Sequence, residues 1–183
     1  MSEAEYLLGG RCGVTLAGIK PASLISVSNR TAAPFYRLCK RFRSRGVCTR
    51  IMRRLSDRVL FYVYTKKGMQ QVLTDPKVSA FLRNLGYSSD PEEALSDLKL
   101  RMQQQEFPHE IGIFLGYPLE DVEGFMRDPH RGVQLNGYWK VYRDPQKKAK
   151  TFAAYKRCSA CICDKMRRGK SLTEIFGVAE NES

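Results

Sequence analysis

The chain is poor in the residues that most often mark a catalytic or metal centre. It has two histidines, His109 and His130, and a single tryptophan, Trp139. No stretch approaches the ~20 apolar residues that a bilayer-spanning helix needs, so no membrane partner is expected. The first residues, MSEAEYLLGGRCG, put acids ahead of a very short apolar pair and contain no signal-peptide core. A cytoplasmic location is the expectation. Internal repeats, low-complexity tracts and linkers are missing as well. Acidic residues are scarce: 19 Asp and Glu face 31 Lys and Arg, a formal charge of +12. That surplus speaks about association with polyanions and leaves the fold open.

What is present suits one folded domain over residues 1–183, with 1–11 and 179–183 as mobile tails. The six cysteines (Cys12, Cys39, Cys48, Cys158, Cys161, Cys163) are even in number. Without a secretory signal, free thiols are expected instead of a disulfide framework.

Taken in order, Gly18-Ile19-Lys20-Pro21 interrupts an apolar stretch, and a loop carrying Lys20 and Ser23 leads into a strand over Leu24–Val27. Pro34 suits a first helical position, with Phe35, Leu38 and Phe42 at helical spacing and Gly46 as the stop. VCTRIMRRL, Ser56-Asp57 and RVLFYVYT read as a β-hairpin. Short helices follow over Lys67–Leu73 and Pro76–Leu85. Asp90-Pro91-x-Glu93 starts another that runs to about Gln105. The central block FPHEIGIFLGYPLEDVEGF, Phe107 to Phe125, is read as a strand over Ile111–Leu115, a Gly116-Tyr117-Pro118 turn and a helix over Leu119–Arg127. Val133–Tyr142 is read as one strand. Asp144-Pro145 opens the longest helix, and Ser171-x-x-Glu174 caps the last. These elements predict an α+β domain with a mixed or antiparallel sheet of about four or five strands and flanking helices. A three-layer α/β arrangement is the alternative.

Each motif admits a structural and a functional reading. His109-Glu110 suits a general acid–base or ligand-orienting pair. Neighbours on a strand face opposite ways, however, so one of the two is expected to pin backbone. Gly116-Tyr117-Pro118 ahead of a helix offers N–H groups to an anion, yet Glu120, Asp121 and Glu123 already fill the first turn with negative charge. Cys158-x-x-Cys161-x-Cys163 has no second knuckle and lies inside a helical pattern, so no metal site is expected. Nine Lys and Arg between Arg37 and Arg58 oppose Asp57 alone, and a second cluster spans Lys147–Lys170. Solvated helix and hairpin faces are the first explanation, and nucleic-acid binding the alternative.

Three long blocks, TLAGIKPASLIS, FPHEIGIFLGYPLEDVEGF and GYWKVY followed by a long helix, together resemble the bacterial domain-of-unknown-function 3793 family from about Cys12 to Val178. The resemblance implies no activity. It does imply a bacterial setting near redox or iron-transport functions, with a flavodoxin as a redox partner. The matching positions are Thr15, Gly18, Lys20, Pro21, Ser23, His109, Glu110, Gly116, Tyr117, Pro118, Asp121, Gly137, Trp139, Lys140 and Cys158.

The expectation that follows is a small-molecule or cofactor-binding protein, its cofactor unidentified. Lys20, Ser23, His109, Glu110, Tyr117, Trp139 and Lys140 converge on one pocket for an anionic or planar ligand. Lys20 and Lys140 take the anion, His109 exchanges a proton, and Tyr117 or Trp139 stacks on a ring. The alternatives are an enzyme using His109, with Glu110 as the second candidate, and polyanion binding through basic surface.

Overall fold

A computed structural model of the chain describes residues 1–104 and 106–179. The C-terminal tail from Glu180 onward, and the helix end expected at Gln105, lie outside the described residues. The architecture is α+β, as expected. Its five strands among the described residues form two antiparallel sheets, one of three strands and one of two. The fold divides into two compact units, Met1–Gly68 with Arg157–Ser183, and Met69–Lys156.

The first unit begins with helix α1, Glu3–Leu16, where residues 1–11 had been expected as a tail. The Ser2 side chain accepts from Glu5 N at 3.2 Å and caps it. Ala4, Leu8, Cys12 and Leu16 recur every four residues and are buried, so packing of one stripe makes the helix. Strand β1 is Ala22–Ser28. Ser23, expected in a loop, is in this strand, buried, and shares a 2.8 Å hydrogen bond with Thr15.

Helix α2 spans Asn29–Lys40 and starts five residues before Pro34. Ser28 caps it by accepting from Thr31 N at 3.3 Å, and Pro34 is exposed inside it. An early, solvent-facing position lets water take the carbonyl that the proline leaves unpaired. A short 3₁₀ turn, Arg43–Arg45, ends at Gly46 with φ 74°, a left-handed conformation that favours glycine. Strands β2, Val47–Arg54, and β3, Arg58–Thr65, form the expected hairpin, and the sheet order is β1-β3-β2. Register slips between Ile51 and Arg53, a bulge at the edge strand. The core joins Leu8, Val27, Phe35, Phe61 and Val63 to Ile162, Met166 and Leu172. Phe35 and Phe61 rings lie 5.1 Å apart.

All six cysteines are free. Cys12 and Cys39 are buried, and burial pushes both thiols up, Cys39 to about 12. An aromatic disulfide reagent is therefore expected to modify exposed Cys161 first and half-buried Cys48, Cys158 and Cys163 more slowly. Cys12 and Cys39 should react only when the protein unfolds. Equal rates for all six in the native protein would contradict this placement.

The second unit contains helices α4, Pro76–Asn84, and α5, Pro91–Arg101, after a first short helix α3, Lys66–Leu73. Asp90 caps α5 as the sequence predicts, and Asp75 caps α4 in the same way, each accepting two backbone N–H bonds at 2.9–3.1 Å. Then come α6, Ile111–Phe114, α7, Leu119–Arg127, a small hairpin of β4, Leu135–Asn136, and β5, Lys140–Val141, and the long helix α8, Pro145–Arg167, which belongs to the first unit from Arg157 onward. Helix α9, Leu172–Phe176, carries the expected capping box of Ser171 and Glu174 and belongs to the first unit.

Two expectations fail here. Ile111–Leu115 is not a strand but a helical turn, with Leu115 N donating to Ile111 O at 3.0 Å. All five residues are buried, so the run has no alternation to reveal its period. Val133–Tyr142 is not one strand but the β4–β5 hairpin, registered Asn136 to Lys140. Asn136-Gly137, a strong turn dipeptide, was the overlooked signal.

Candidate functional site

The second unit encloses a cavity of about 330 Å³ whose walls come from the α6 approach, α7 and the β4–β5 hairpin. His109, Tyr117, Phe125, Trp139 and Lys140 line it, over a floor that includes Gly112, Asp121 and Val122.

Tyr117 is aimed by the way α6 ends. Gly116 takes φ 79°, and the amides of Gly116 and Tyr117 fold back onto Ile113 O and Gly112 O, both at 2.8 Å. This is a Schellman closure, and it needs the glycine. The Tyr117 ring then stacks on Trp139, centroids 4.8 Å apart at 26°. Burial raises the pKa of Tyr117, so its hydroxyl stays protonated. A Cβ on Gly112 would stand 2.8 Å from Val122 and 3.0 Å from the Tyr117 ring, so this glycine makes room for the stack.

Trp139 is fixed from its other edge. Its Nε1 donates to Asp121 Oδ2 at 2.8 Å, and its ring meets Phe152 edge-on at 4.6 Å. Asp121 is 2% exposed, and its Oδ1 accepts from Tyr142 N at 2.8 Å and Arg143 N at 3.3 Å. Buried Lys148 adds its ammonium, 3.7 Å from Asp121 and 2.6 Å from Glu120. Burial pushes the Glu120 carboxyl up, but the Lys148 hydrogen bond, its own backbone and nearby lysines outweigh that and lower its pKa. The first-turn acids therefore hold the hairpin and the start of α8 on α7. Sequence reasoning had assigned them only to the helix dipole.

Lys140 donates to Pro129 O at 2.8 Å and places its ammonium 5.6 Å from the Phe125 ring centre. His109 sits at the exposed rim with its ring edge-on to Phe125, centroids 5.2 Å apart. Glu110 takes another direction. It is buried and accepts from Tyr87 Oη at 2.8 Å and Arg101 Nη1 at 3.4 Å. The two neighbours separate because the chain turns into α6 between them, not through strand alternation. Glu110 thus supplies no partner for a His109 acid–base couple. Asp121 is already occupied by three hydrogen-bond donors and the ion pair with Lys148.

Of the seven expected site residues, His109, Tyr117, Trp139 and Lys140 share this cavity. Lys20 and Ser23 belong to the first unit and form no part of its lining. Burial lowers the pKa of Lys20, with the nearby Cys12 acting the other way. Phe125 and Asn136 are lining residues that sequence reasoning missed. Phe125 read as one more apolar position on α7, and Asn136 could have been found from its turn dipeptide.

Among the described residues no helix is long and apolar enough to cross a membrane. No curated protein and no solved structure matches the chain. The family model described as "Protein of unknown function (DUF3793)" matches residues 8–176, nearly the whole sequence and all three blocks that carried the resemblance, and the chain therefore belongs to the DUF3793 family.

Proposed function

We propose that the second unit binds a small, planar, anionic organic molecule in the cavity beside Trp139. The observation that carries this reading is the union of a rigid aromatic wall with one cation. Tyr117 and Trp139 are pre-stacked and locked from behind, and Lys140 projects beside Phe125. Aromatic walls with a few fixed polar groups are what small-ligand sites are made of. Pre-organisation spares the ligand the cost of ordering them. His109 at the rim supplies a further donor, and its role as an acid or base lacks an oriented carboxylate.

A bacterial cytoplasm is part of the same reading. Six free thiols suit a reducing compartment. A redox or iron context with a flavodoxin partner rests on the family resemblance and on no feature of the cavity.

Trp139 is the chain's only tryptophan and lies in the cavity wall, so its emission reports on this site alone. Titration with benzoate, indole-3-carboxylate and flavin mononucleotide is expected to give saturable quenching by at least one of them. Lys140→Met, which keeps the aliphatic stem, should weaken that binding about tenfold, the worth of one charge-assisted hydrogen bond. The reading fails if none of these probes gives a saturable change, or if Lys140→Met binds as tightly as the parent.

A further inference from the structure

Helix α1 packs against α8 through glycines, and one of its glycines has no part in that packing. A Cβ on Gly9 would run into Met166, and one on Gly13 would meet Ile162 at 2.9 Å, so close approach accounts for both. Gly10 differs. It is exposed in the interior of the helix, its φ is not in the left-handed region, and a Cβ there would meet nothing within 4 Å. Glycine is a poor helix former, so neither the backbone nor the packing of this unit asks for it. Its effect is to leave bare one wall of a second cavity, of about 460 Å³.

This cavity lies wholly within the first unit and is unlike the one beside Trp139. Half-buried Leu7 and buried Met166 form its apolar wall, and exposed Met1 and Tyr6 complete it. Methionines adapt to an irregular or flexible neighbour, whereas stacked Tyr117 and Trp139 present a fixed flat surface. The polar side chains in the lining are Arg11, Arg167, the Tyr6 hydroxyl and the Cys163 thiol, with no acid among them. Arg11 makes no ion pair or side-chain hydrogen bond among the described residues. Arg167 reaches Asp164 at 3.7 Å, but Arg168 holds that carboxylate more closely, at 2.9 Å. Solvated arginines are ordinary on a surface. Here two of them stand over an apolar cavity whose exposed glycine the fold does not need. The unit around them holds 19 Lys and Arg against 7 Asp and Glu, which draws anions toward it.

We propose that this cavity binds a single-chain fatty carboxylate, its hydrocarbon chain over Gly10 and against Leu7 and Met166, its head on Arg11 and Arg167. The lining sets both ends of that ligand. Walls with so few polar groups take an apolar body, and a guanidinium fork matches the two oxygens of a carboxylate. The volume falls within the about 300–1,000 Å³ of small-molecule sites. A single chain fits better than a bilayer surface. The apolar stripe of α1 (Ala4, Leu8, Cys12 and Leu16) is buried in the unit's own core, whereas an interfacial membrane helix inserts its apolar face.

Isothermal titration of the full chain with decanoate, kept below its micelle concentration, is expected to give saturable binding. Each methylene added between octanoate and decanoate should tighten it up to about fourfold. Arg11→Met keeps the aliphatic stem, so it should weaken decanoate about tenfold and leave neutral decan-1-ol unaffected. Gly10→Leu fills the bare wall and should weaken both ligands. It should melt no lower than the parent, because leucine is the better helix former. The proposal is overturned by absent saturation with decanoate, by a folded Gly10→Leu that binds it as tightly as the parent, or by equal losses of acid and alcohol in Arg11→Met. Retention on phosphatidylglycerol vesicles without binding of the monomeric acid would overturn it too, as would a parent dimer that Gly10→Leu splits, which makes a second copy the occupant. Neither variant touches the lining of the cavity beside Trp139, so the outcome is independent of the quenching titration.

Discussion

Asp121→Ala is expected to destabilise the second unit by about 4 kcal/mol and to shift Trp139 emission to the red. The carboxylate is buried and accepts from an indole N–H and two backbone amides, with an equally buried ammonium beside it. Removing one member of a buried ion pair costs about 3–5 kcal/mol, because the remaining charge has been stripped of water. Lys148 keeps Glu120 at 2.6 Å, which tempers that loss. The amides of Tyr142 and Arg143 and the indole of Trp139 lose their acceptor at the same time, at about 1–3 kcal/mol for each group left unsatisfied and not additively. Asp121→Asn keeps the shape and one acceptor, so it should cost about half as much. Urea unfolding followed by Trp139 emission measures both. A loss below about 1 kcal/mol for the alanine variant would show that the carboxylate is not the anchor its geometry describes. The same variant should bind planar anions more weakly, since it frees the ring that forms the cavity wall.

Glu120 adds a pH dependence whose sign is fixed. Its folded pKa is lowered, so its contribution to stability is present above the ordinary carboxylate range and is lost as the pH falls through the lowered value. Acidification should therefore loosen the Lys148 attachment.

Elements set by local chemistry were legible in the sequence. Asp75-Pro76 and Asp90-Pro91 cap their helices through contacts two and three residues away. The β2–β3 hairpin follows from a run dense in β-branched and aromatic residues, RVLFYVYT, after a Ser-Asp turn, and its strand β3 pairs with both β1 and β2. Elements that depend on distant partners were not. Helix α1 carries Gly9, Gly10 and Gly13, which weaken any local helix signal. For two of them the reason is tertiary: a Cβ on Gly9 would run into Met166 and one on Gly13 would meet Ile162 at 2.9 Å, whereas Gly10 faces open space. Close approach to α8 is worth more there than helix propensity.

The site followed the same division. That Tyr117, Trp139, Lys140 and His109 belong together could be suspected from residue type. That Asp121 binds the hairpin could not, because its partners lie 18 to 22 residues along the chain. Lys20 and Ser23 were grouped with the cavity for their chemistry alone, and residue chemistry does not specify which unit a loop joins.

Glu110→Ala should cost about 2–3 kcal/mol, while His109→Ala next to it stays within about 0.5 kcal/mol of the parent. Glu110 is buried with the Tyr87 hydroxyl on one oxygen and Arg101 near the same atom. Arg101 also bonds Leu85 O and places its guanidinium 4.3 Å from the Tyr87 ring centre. Truncating Glu110 strands the Tyr87 hydroxyl in the core, whereas Arg101, with a third of its side chain exposed, regains water. The cost is therefore smaller than at Asp121. A Tyr87→Phe/Glu110→Gln double-mutant cycle should return a coupling of about 1–2 kcal/mol. Alkaline titration adds an independent check. Burial, and then the bond and charge of Glu110, push the Tyr87 pKa far up, so stability is intact below the ordinary tyrosine pKa of about 10 and is lost as the pH rises beyond it. Buried Tyr62 shifts the same way, so the comparison must be made between parent and Glu110→Gln, in which the alkaline loss attributable to Tyr87 shrinks. Equal costs at His109 and Glu110 would refute the division of labour within this dipeptide. A large cost at Glu110 alone would establish that the motif's acid holds the fold and leaves its histidine to the cavity.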